Sequence, residues 1–388
     1  MAGLTFFLAR SLGAVEQGLF FSIKATFDLL VACFVFGFPQ SYVFEINSRK
    51  VSRNSLYRLT IYYSLFVLVI LSIVLFSWKP HFVRSFGDML VISFGVSFTV
   101  VASLVRAIYI TVDDGPRYSL MTTVPTLFLV LTCLLFVAIF NNVSRHVSLI
   151  FFLSASGYAW VTYLLAHPQK TFLLEGNKPS SRKLLTLGLD AFLLSLSAIG
   201  QIFLTYQYLK VYAVQTDLGF FSVGLTVSNI LSFPLQVISP MLLNRWSVRS
   251  PGLSRAGFRL PLKPLAAATA LIGAIFIVMI VLPKAIWIIL GAEYLPAISM
   301  IQIMVAYTAV AAIQRIASLR LSAVGQMRYG AVISICKFAF LALGLYTLSN
   351  QTGFQERAGE AACVLWLISE LMAAVVTVRK CNSDLIGI

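Results

Sequence analysis

The segment EQGLFFSIKATFDLLVACFVFGFPQ (residues 16–40) is apolar over its whole length, yet it carries Lys24 and Asp28 one helical turn apart. An α-helix rises about 1.5 Å per residue, so about 20 apolar residues cross the roughly 30 Å hydrocarbon core of a bilayer. The segment is long enough to be such a span. Its two charges would be costly on a surface that faces lipid, so they indicate a polar environment inside the protein.

The composition of the whole chain agrees with a membrane protein. Of 388 residues, 59% are hydrophobic and 11% are charged, whereas soluble domains contain about 25% charged residues. A short apolar lead at residues 1–12 is too short to cross a bilayer, and we expect it to be a truncated first helix. The other spans that we expect are residues 19–44, 57–77, 88–111, 118–140, 147–166, 185–210, 219–243, 265–290, 296–323, 329–349 and 360–378. The sequence therefore predicts an all-α integral membrane protein of about 12 transmembrane helices.

The net charge of +15 follows the predicted topology. If residues 47–58 lie in the cytoplasm, the connections on that side carry 17 Lys and Arg residues and those on the other side carry 6. This is the positive-inside bias of multi-pass proteins, which favours cytoplasmic basic loops over a nucleic-acid partner. The five cysteines and three histidines are scattered without motif spacing, so we expect no disulfide framework, metal site or cofactor.

Two lobes of equal helix number are predicted. The basic connection at residues 168–184 separates an N-terminal lobe at residues 1–167 from a C-terminal lobe at residues 185–388. Aligning Gly18 with Gly219 brings four identical residues into register over 23 positions, both copies being the second helix of their lobe. Six helices per lobe give the copies the same orientation, which predicts a parallel repeat about a pseudo-two-fold axis along the membrane normal. Transporters built in this way bind their substrate between the lobes.

Charged residues within the predicted spans are the candidate functional residues. A Lys or Arg at a helix centre costs about 2.5 to 3.5 kcal/mol on insertion scales, so most must face water or an acid, or reach the interface. Lys210 and Arg320 lie near span ends and can reach the membrane surface. Lys24 and Asp28 can neutralise each other on one helix. The deeper cations have no acid three or four residues away on their own helices; they are Arg106, Arg315 and Lys337.

A cationic interior favours an anionic substrate. Phosphate and diphosphate fit best, because Arg offers a planar fork of donors and Lys offers a compact charge. The substrate-binding candidates are Lys24, Arg106, Arg315, Lys337 and Arg320. Buried carboxylates can bind and release protons in the pH range in which a protein works, so three acids are candidates for coupling to protons or another cation. Each of them can equally balance the charge of a nearby Arg. These acids are Asp28, Asp190 and Glu370.

Several short motifs carry a family resemblance. LARSLGAVEQGLFF (residues 8–21) resembles the A-R-x-L-G-x-x-x-x-G-x-[FY] opening of polysaccharide flippases, and FGFP (residues 36–39) resembles their F-G-x-P motif. LGAEYLPAISMIQIM (residues 290–304) and LSAVGQ (residues 321–326) are similar to the family's G-x-x-Y-x-x-A and L-x-A-x-G patterns. On these motifs the chain resembles a Wzx-type O-antigen or capsule flippase of the multidrug/oligosaccharidyl-lipid/polysaccharide (MOP) exporter superfamily.

The resemblance implies a function and its partners. It implies alternating access and antiport in a bacterial inner membrane, with an undecaprenyl-diphosphate-linked oligosaccharide as cargo for polysaccharide biosynthesis. Protons or sodium ions and membrane lipids are the further partners, and contacts with the polysaccharide polymerase machinery stay open. A multidrug exporter of the same superfamily is one alternative, although organic cations favour an acidic lumen. A membrane polysaccharide polymerase or glycosyltransferase is the other, although the short outward loops lack paired catalytic carboxylates. We therefore expect a transporter without catalytic residues.

Overall fold

A computed structural model describes most of the chain. The described residues are 2–49, 51–78, 86–110, scattered positions between 120 and 160, 181–248, 262–323, 327–351 and 357–386. The predicted spans at residues 118–140 and 147–166, and residues 168–180 of the predicted connection, fall largely or wholly outside them.

Long α-helices make up nearly all of this part of the chain. The α-helices are α1 (Ala2–Val35), α2 (Phe38–Arg49), α3 (Arg53–Trp78), α4 (Phe86–Ile110), α5 (Ser181–Tyr212), α6 (Gln215–Val248), α7 (Leu262–Leu290), α8 (Ile298–Ala323), α9 (Met327–Ser349) and α10 (Ala358–Ile386). A 3₁₀-helix, Ala292–Ala297, joins α7 to α8. Eight candidate spans in the described ranges are long and apolar enough to cross a membrane. The predicted all-α membrane class is therefore confirmed.

The chain groups into two compact units. Unit 1 contains residues 23–199, and unit 2 contains residues 2–22 together with residues 200–388. The start of α1 therefore belongs to unit 2, with the C-terminal helices, although it comes first in the sequence. The predicted lobes at residues 1–167 and 185–388 differ from these units in their bounds and stay a prediction.

In unit 1, the FGFP motif ends the first helix. α1 stops at Val35, and Phe36 and Gly37 have positive φ values of 47° and 66° before α2 begins. Glycine is required at position 37, because a Cβ there would lie 2.2 Å from the carbonyl oxygen of Gly188. The Phe36 ring stacks on Phe192 of α5 at 4.6 Å between centroids. The expected span at residues 19–44 is thus two helices, and the break lets α5 approach closely.

In unit 2, α8 is the central helix, and it packs against α6, α7, α9 and α10. The start of α1 packs against α6 at two glycines. A Cβ on Gly18 would lie 2.7 Å from the backbone nitrogen of Gly219, and one on Gly219 would lie 2.1 Å from the carbonyl oxygen of Ala14. Small residues allow such close contact between membrane helices.

The expected short first helix ends in a break at Gly13, which has φ 75° and ψ 173°. Such a break leaves backbone groups without their helical partners, and in a membrane protein neighbouring elements must supply replacements. The N–H of Ala14 donates to Glu293 Oε1 at 3.0 Å. The buried Tyr294 hydroxyl lies 2.6 Å from Gln17 Oε1 and 3.3 Å from the carbonyl oxygen of Ala9. Two adjacent residues of the 3₁₀-helix therefore stabilise the break.

Candidate functional site

A buried ion pair joins α9 to α10 in unit 2. Lys337 Nζ lies 2.5 Å from Glu370 Oε2, and their side chains are 14% and 2% exposed. An ammonium and a carboxylate in a low-dielectric setting stabilise each other strongly, and each would be costly alone. The structure therefore brings together a predicted substrate-binding cation and a predicted coupling acid.

Arg315 and Tyr307 extend this pair along α8. Tyr307 of α8 is within electrostatic range of Glu370 and of Arg315. Arg315 lies about two helical turns after Tyr307 on the same helix. The Arg315 side chain is exposed on unit 2. Among the described residues, no carboxylate forms a salt bridge with Arg315. Arg315 differs in this respect from Lys337, whose ammonium has a carboxylate partner.

Trp366 positions the carboxylate helix. Its indole Nε1 donates to Thr205 Oγ1 of α5 at 2.7 Å, and its ring packs edge-on against Tyr307 at 5.3 Å and Phe221 at 5.8 Å between centroids. Trp366 and Glu370 are four residues apart and share one face of α10. This anchoring limits the positions open to Glu370. Trp366, Tyr307 and Thr205 are not among the residues predicted from the sequence, although the four-residue spacing from Trp366 to Glu370 is a usable signal.

The candidate residues of unit 1 lie in different surroundings. Lys24 and Asp28 form an ion pair within α1, with side chains 27% and 41% exposed. The predicted mutual neutralisation on one helix is therefore what the structure shows. Arg106 is half-buried on α4, and its Nε donates to the carbonyl oxygen of Ala102 at 3.2 Å. Asp190 is half-buried on α5.

Two further cations lie towards helix ends. Lys210 is exposed in the last turn of α5, and Arg320 is half-buried in the last turn of α8. Of the predicted site residues, the structure thus brings together Lys337 and Glu370 in unit 2, and separately Lys24 and Asp28 in unit 1. Arg315 and Glu370 are each within electrostatic range of Tyr307. We name Arg315, Tyr307, Lys337 and Glu370 the α8–α10 charge cluster. Within the described ranges, no group of three or more His, Cys, Asp or Glu residues could hold a metal ion.

Comparison with solved structures identifies the fold. The inward-facing conformation of a multidrug resistance MATE family transporter of the MOP superfamily superimposes with a TM-score of 0.76, covering 99% of this chain and 94% of the other at 14% identity. The chain has the fold of these transporters. The outward-facing conformation of such a transporter gives a TM-score of 0.70 at 16% identity, with 99% and 91% of the two chains covered.

A third structural neighbour is a MOP superfamily transporter from Pyrococcus furiosus whose binding pocket has reverse polarity, which was taken to suggest a different function. It has a TM-score of 0.60 and 12% identity, with 99% of this chain and 92% of the other covered. No family model and no curated protein sequence matches the chain. The likeness is therefore one of fold.

Proposed function

We propose that this chain flips an undecaprenyl-diphosphate-linked oligosaccharide from the cytoplasmic to the periplasmic leaflet of a bacterial inner membrane. Alternating access through a cationic cavity carries the head group, and protons or another cation are coupled to the cycle. The observation that carries this proposal is a pair of cations within apolar helices of unit 2: Arg315 on α8, which is exposed, and Lys337 on α9. Wzx-type membership, polysaccharide biosynthesis and cytoplasmic basic loops are parts of the same proposal.

The physical problem that such a protein solves is desolvation. A diphosphate that enters hydrocarbon loses its hydration, which costs far more than any single interaction returns. Charged donors fixed inside the protein replace part of that water, and Arg suits this role because its fork of N–H groups matches phosphate oxygens. Arg315 is in this respect the best-placed group of the α8–α10 charge cluster, because no described carboxylate forms a salt bridge with it.

The structural neighbours support the transport cycle. Inward-facing and outward-facing conformations are both found among them, and these are the two end states that alternating access requires. The neighbours are transporters, which supports a transporter rather than an enzyme. The reverse pocket polarity of the Pyrococcus furiosus protein shows that this fold accommodates more than one charge pattern.

Multidrug export is the second candidate function, because multidrug resistance transporters are among the structural neighbours. Organic cations would be repelled by an exposed guanidinium and need acidic or aromatic contacts instead. Glu370 is the acid of the charge cluster, and the Lys337 ammonium neutralises it. The cluster therefore favours an anionic cargo.

The test is complementation of a strain that lacks its own flippase. Arg315→Ala is expected to lower surface polysaccharide about tenfold or more, since a hydrogen bond to a charged group contributes about 1.5 to 3 kcal/mol. Arg315→Lys should retain part of the activity, because it keeps the charge and loses the fork. Lys284→Ala, at an exposed cation of α7, is the matched control and should complement fully. Normal polysaccharide in the Arg315→Ala strain, at normal protein level, would contradict the role of Arg315.

A further inference from the structure

A packed apolar cluster in unit 2 lies where the end of α8, the start of α9 and the last part of α10 meet. Its members are Ala317 and Leu321 of α8, Tyr329 of α9, and Val378 and Cys381 of α10. The Cys381 thiol donates to the carbonyl oxygen of Ala317, with 3.7 Å between the sulfur and the oxygen. The apolar spans of the three helices end at Leu321, begin at Arg328 and end at Cys381. The cluster therefore marks one edge of the hydrocarbon region in unit 2.

Four cations lie beside this cluster. Each is the immediate sequence neighbour of a cluster residue, and together we name them the helix-end basic patch: Arg320, Arg328, Arg379 and Lys380. The Lys380 Nζ lies 5.8 Å from the centre of the Tyr329 ring, so this part of α10 reaches the start of α9. Arg328 and Arg379 are exposed, and Arg320 and Lys380 are half-buried. The four charges therefore lie together at the membrane edge, where long side chains can reach water.

Helix dipoles account for only part of the patch. A cation is favourable in the last turn of a helix and unfavourable in the first, and the effect fades within one turn. Arg320 is in the last turn of α8, whereas Arg328 is in the first turn of α9. Arg379 and Lys380 lie more than one turn before the end of α10. One acid, Asp384, follows Lys380 by four residues on α10, which leaves the patch with an excess of positive charge. An anion from outside the three helices can balance that excess.

We propose that the helix-end basic patch binds the head group of an anionic phospholipid from the leaflet that it faces. The phosphates of membrane lipids lie at this edge of the hydrocarbon region, and Arg offers forked N–H donors that match their oxygens. Tyr329 suits the same depth, because its ring is apolar and its hydroxyl is polar. Cations contributed by three helices favour a lipid with two phosphates, of the cardiolipin type. This site uses neither Arg315 nor Lys337, and it does not rest on the proposed function.

Binding of such a lipid has a consequence for the packing of unit 2. Like charges at one edge repel one another, and an anionic head group that bridges them replaces this repulsion with attraction. The bound lipid therefore holds the ends of α8, α9 and α10 together. The stability of unit 2 then depends on the anionic lipid content of the membrane, because the lipid binds the folded state.

The experiment measures the binding of fluorescently labelled cardiolipin to the purified full-length protein in a neutral detergent, by fluorescence polarisation. Each Lys or Arg near an anionic lipid surface strengthens binding about fivefold. Arg328→Gln/Arg379→Gln neutralises the two exposed cations and should therefore bind cardiolipin about 25-fold more weakly than the wild type. Unlabelled cardiolipin should displace the label. Phosphatidylcholine and inorganic phosphate at the same concentration should not, because the first has no net charge and the second has no acyl chains.

The matched control removes two exposed cations from the opposite end of unit 2. Lys210 lies in the last turn of α5, and Arg357 lies immediately before α10. The N–H of Gly359, at the start of α10, donates to Asp217, which follows the end of α5 by five residues. These ends therefore lie together, away from the patch. Lys210→Gln/Arg357→Gln should bind cardiolipin as the wild type does.

The outcomes decide the inference separately from the proposed function. Wild-type affinity in folded Arg328→Gln/Arg379→Gln, or an equal loss in both double variants, overturns the inference. Displacement of the label by inorganic phosphate overturns the assignment to a lipid. Should the double variant fail to fold, Arg328→Gln and Arg379→Gln replace it singly, each with an expected loss of about fivefold. None of these outcomes changes the proposed function, which the Arg315 variants test.

Discussion

Replacing Lys337 with Met should destabilise the protein in a way that depends on pH. Met keeps most of the apolar volume but leaves Glu370, whose side chain is 2% exposed, without its cationic partner. Removing one member of a buried ion pair costs about 3 to 5 kcal/mol. The loss of stability cannot exceed the free energy of protonating the carboxylate, because a protonated Glu370 carries no charge. For a model glutamate with a reference pKa of about 4.3, protonation at pH 7 costs about 3.7 kcal/mol, at about 1.36 kcal/mol per pH unit. At pH 5 the same limit is about 1 kcal/mol.

Thermal unfolding of the purified protein in detergent measures this effect. An unfolding entropy of about 2.1 cal/mol/K per residue gives about 0.8 kcal/mol/K for a chain of this length. Lys337→Met should therefore lower the Tm by about 5 °C at pH 7 and by about 1 °C at pH 5. The double variant Lys337→Met/Glu370→Gln, which removes both charges of this pair, should recover most of the loss at pH 7.

Lys210→Met is the matched control for this prediction. Lys210 is exposed in the last turn of α5, where a cation contributes about 0.3 to 1 kcal/mol through the helix dipole. Its loss should be small and independent of pH over the same range. A Tm of Lys337→Met that equals the wild-type value at pH 7, or a decrease of the same size at pH 5 and pH 7, would refute the reasoning about the buried pair.

Three further predictions concern the packing around the site. Gly219→Ala should lower the free energy of unfolding by about 1 to 3 kcal/mol, because its Cβ would meet a backbone oxygen at 2.1 Å. Gly330→Ala should stabilise the protein by up to about 1 kcal/mol, because no described atom outside the neighbouring backbone of its own helix lies within 4 Å of the new Cβ. Thermal unfolding of both variants checks the contrast. Glu293→Gln replaces the carboxylate that accepts from the N–H of Ala14; it should lose about 1 kcal/mol and speed hydrogen exchange at Ala14. Trp366→Phe removes the indole donor to Thr205 and should cost about 1 to 3 kcal/mol, whereas Thr205→Val should give a similar loss that is not additive with it, as a double-mutant cycle of Tm values would show.

The sequence predicts best those features that depend on one helix. Helical geometry places Lys24 and Asp28 on the same side of α1, so their pairing could be anticipated from a spacing of four. The change of direction at residues 36–37 was missed, because the expected span at residues 19–44 runs through Gly37, although a short motif at the end of a long apolar run was a usable signal. Local geometry and burial of apolar length decide both features.

Contacts between helices are harder to predict. Lys337 and Glu370 are 33 residues apart, and nothing on either helix alone shows that they meet. The same holds for Glu293 and Ala14, which are separated by 279 residues. The sequence placed Lys337 among cations available to a substrate, whereas packing of α9 on α10 gives it a carboxylate partner. Such partners follow from the rotation and depth at which helices pack, and a single sequence does not encode these quantities in a readable pattern.

The most direct test of the account is translocation in proteoliposomes. The purified protein is reconstituted with a fluorescently labelled undecaprenyl-diphosphate-linked sugar, and a membrane-impermeant quencher reports the fraction of the lipid that changes leaflet. The account predicts that the wild type moves the lipid, that Arg315→Ala moves it about tenfold more slowly, and that a cationic dye is not transported. Transport of the dye without movement of the diphosphate lipid would contradict the account.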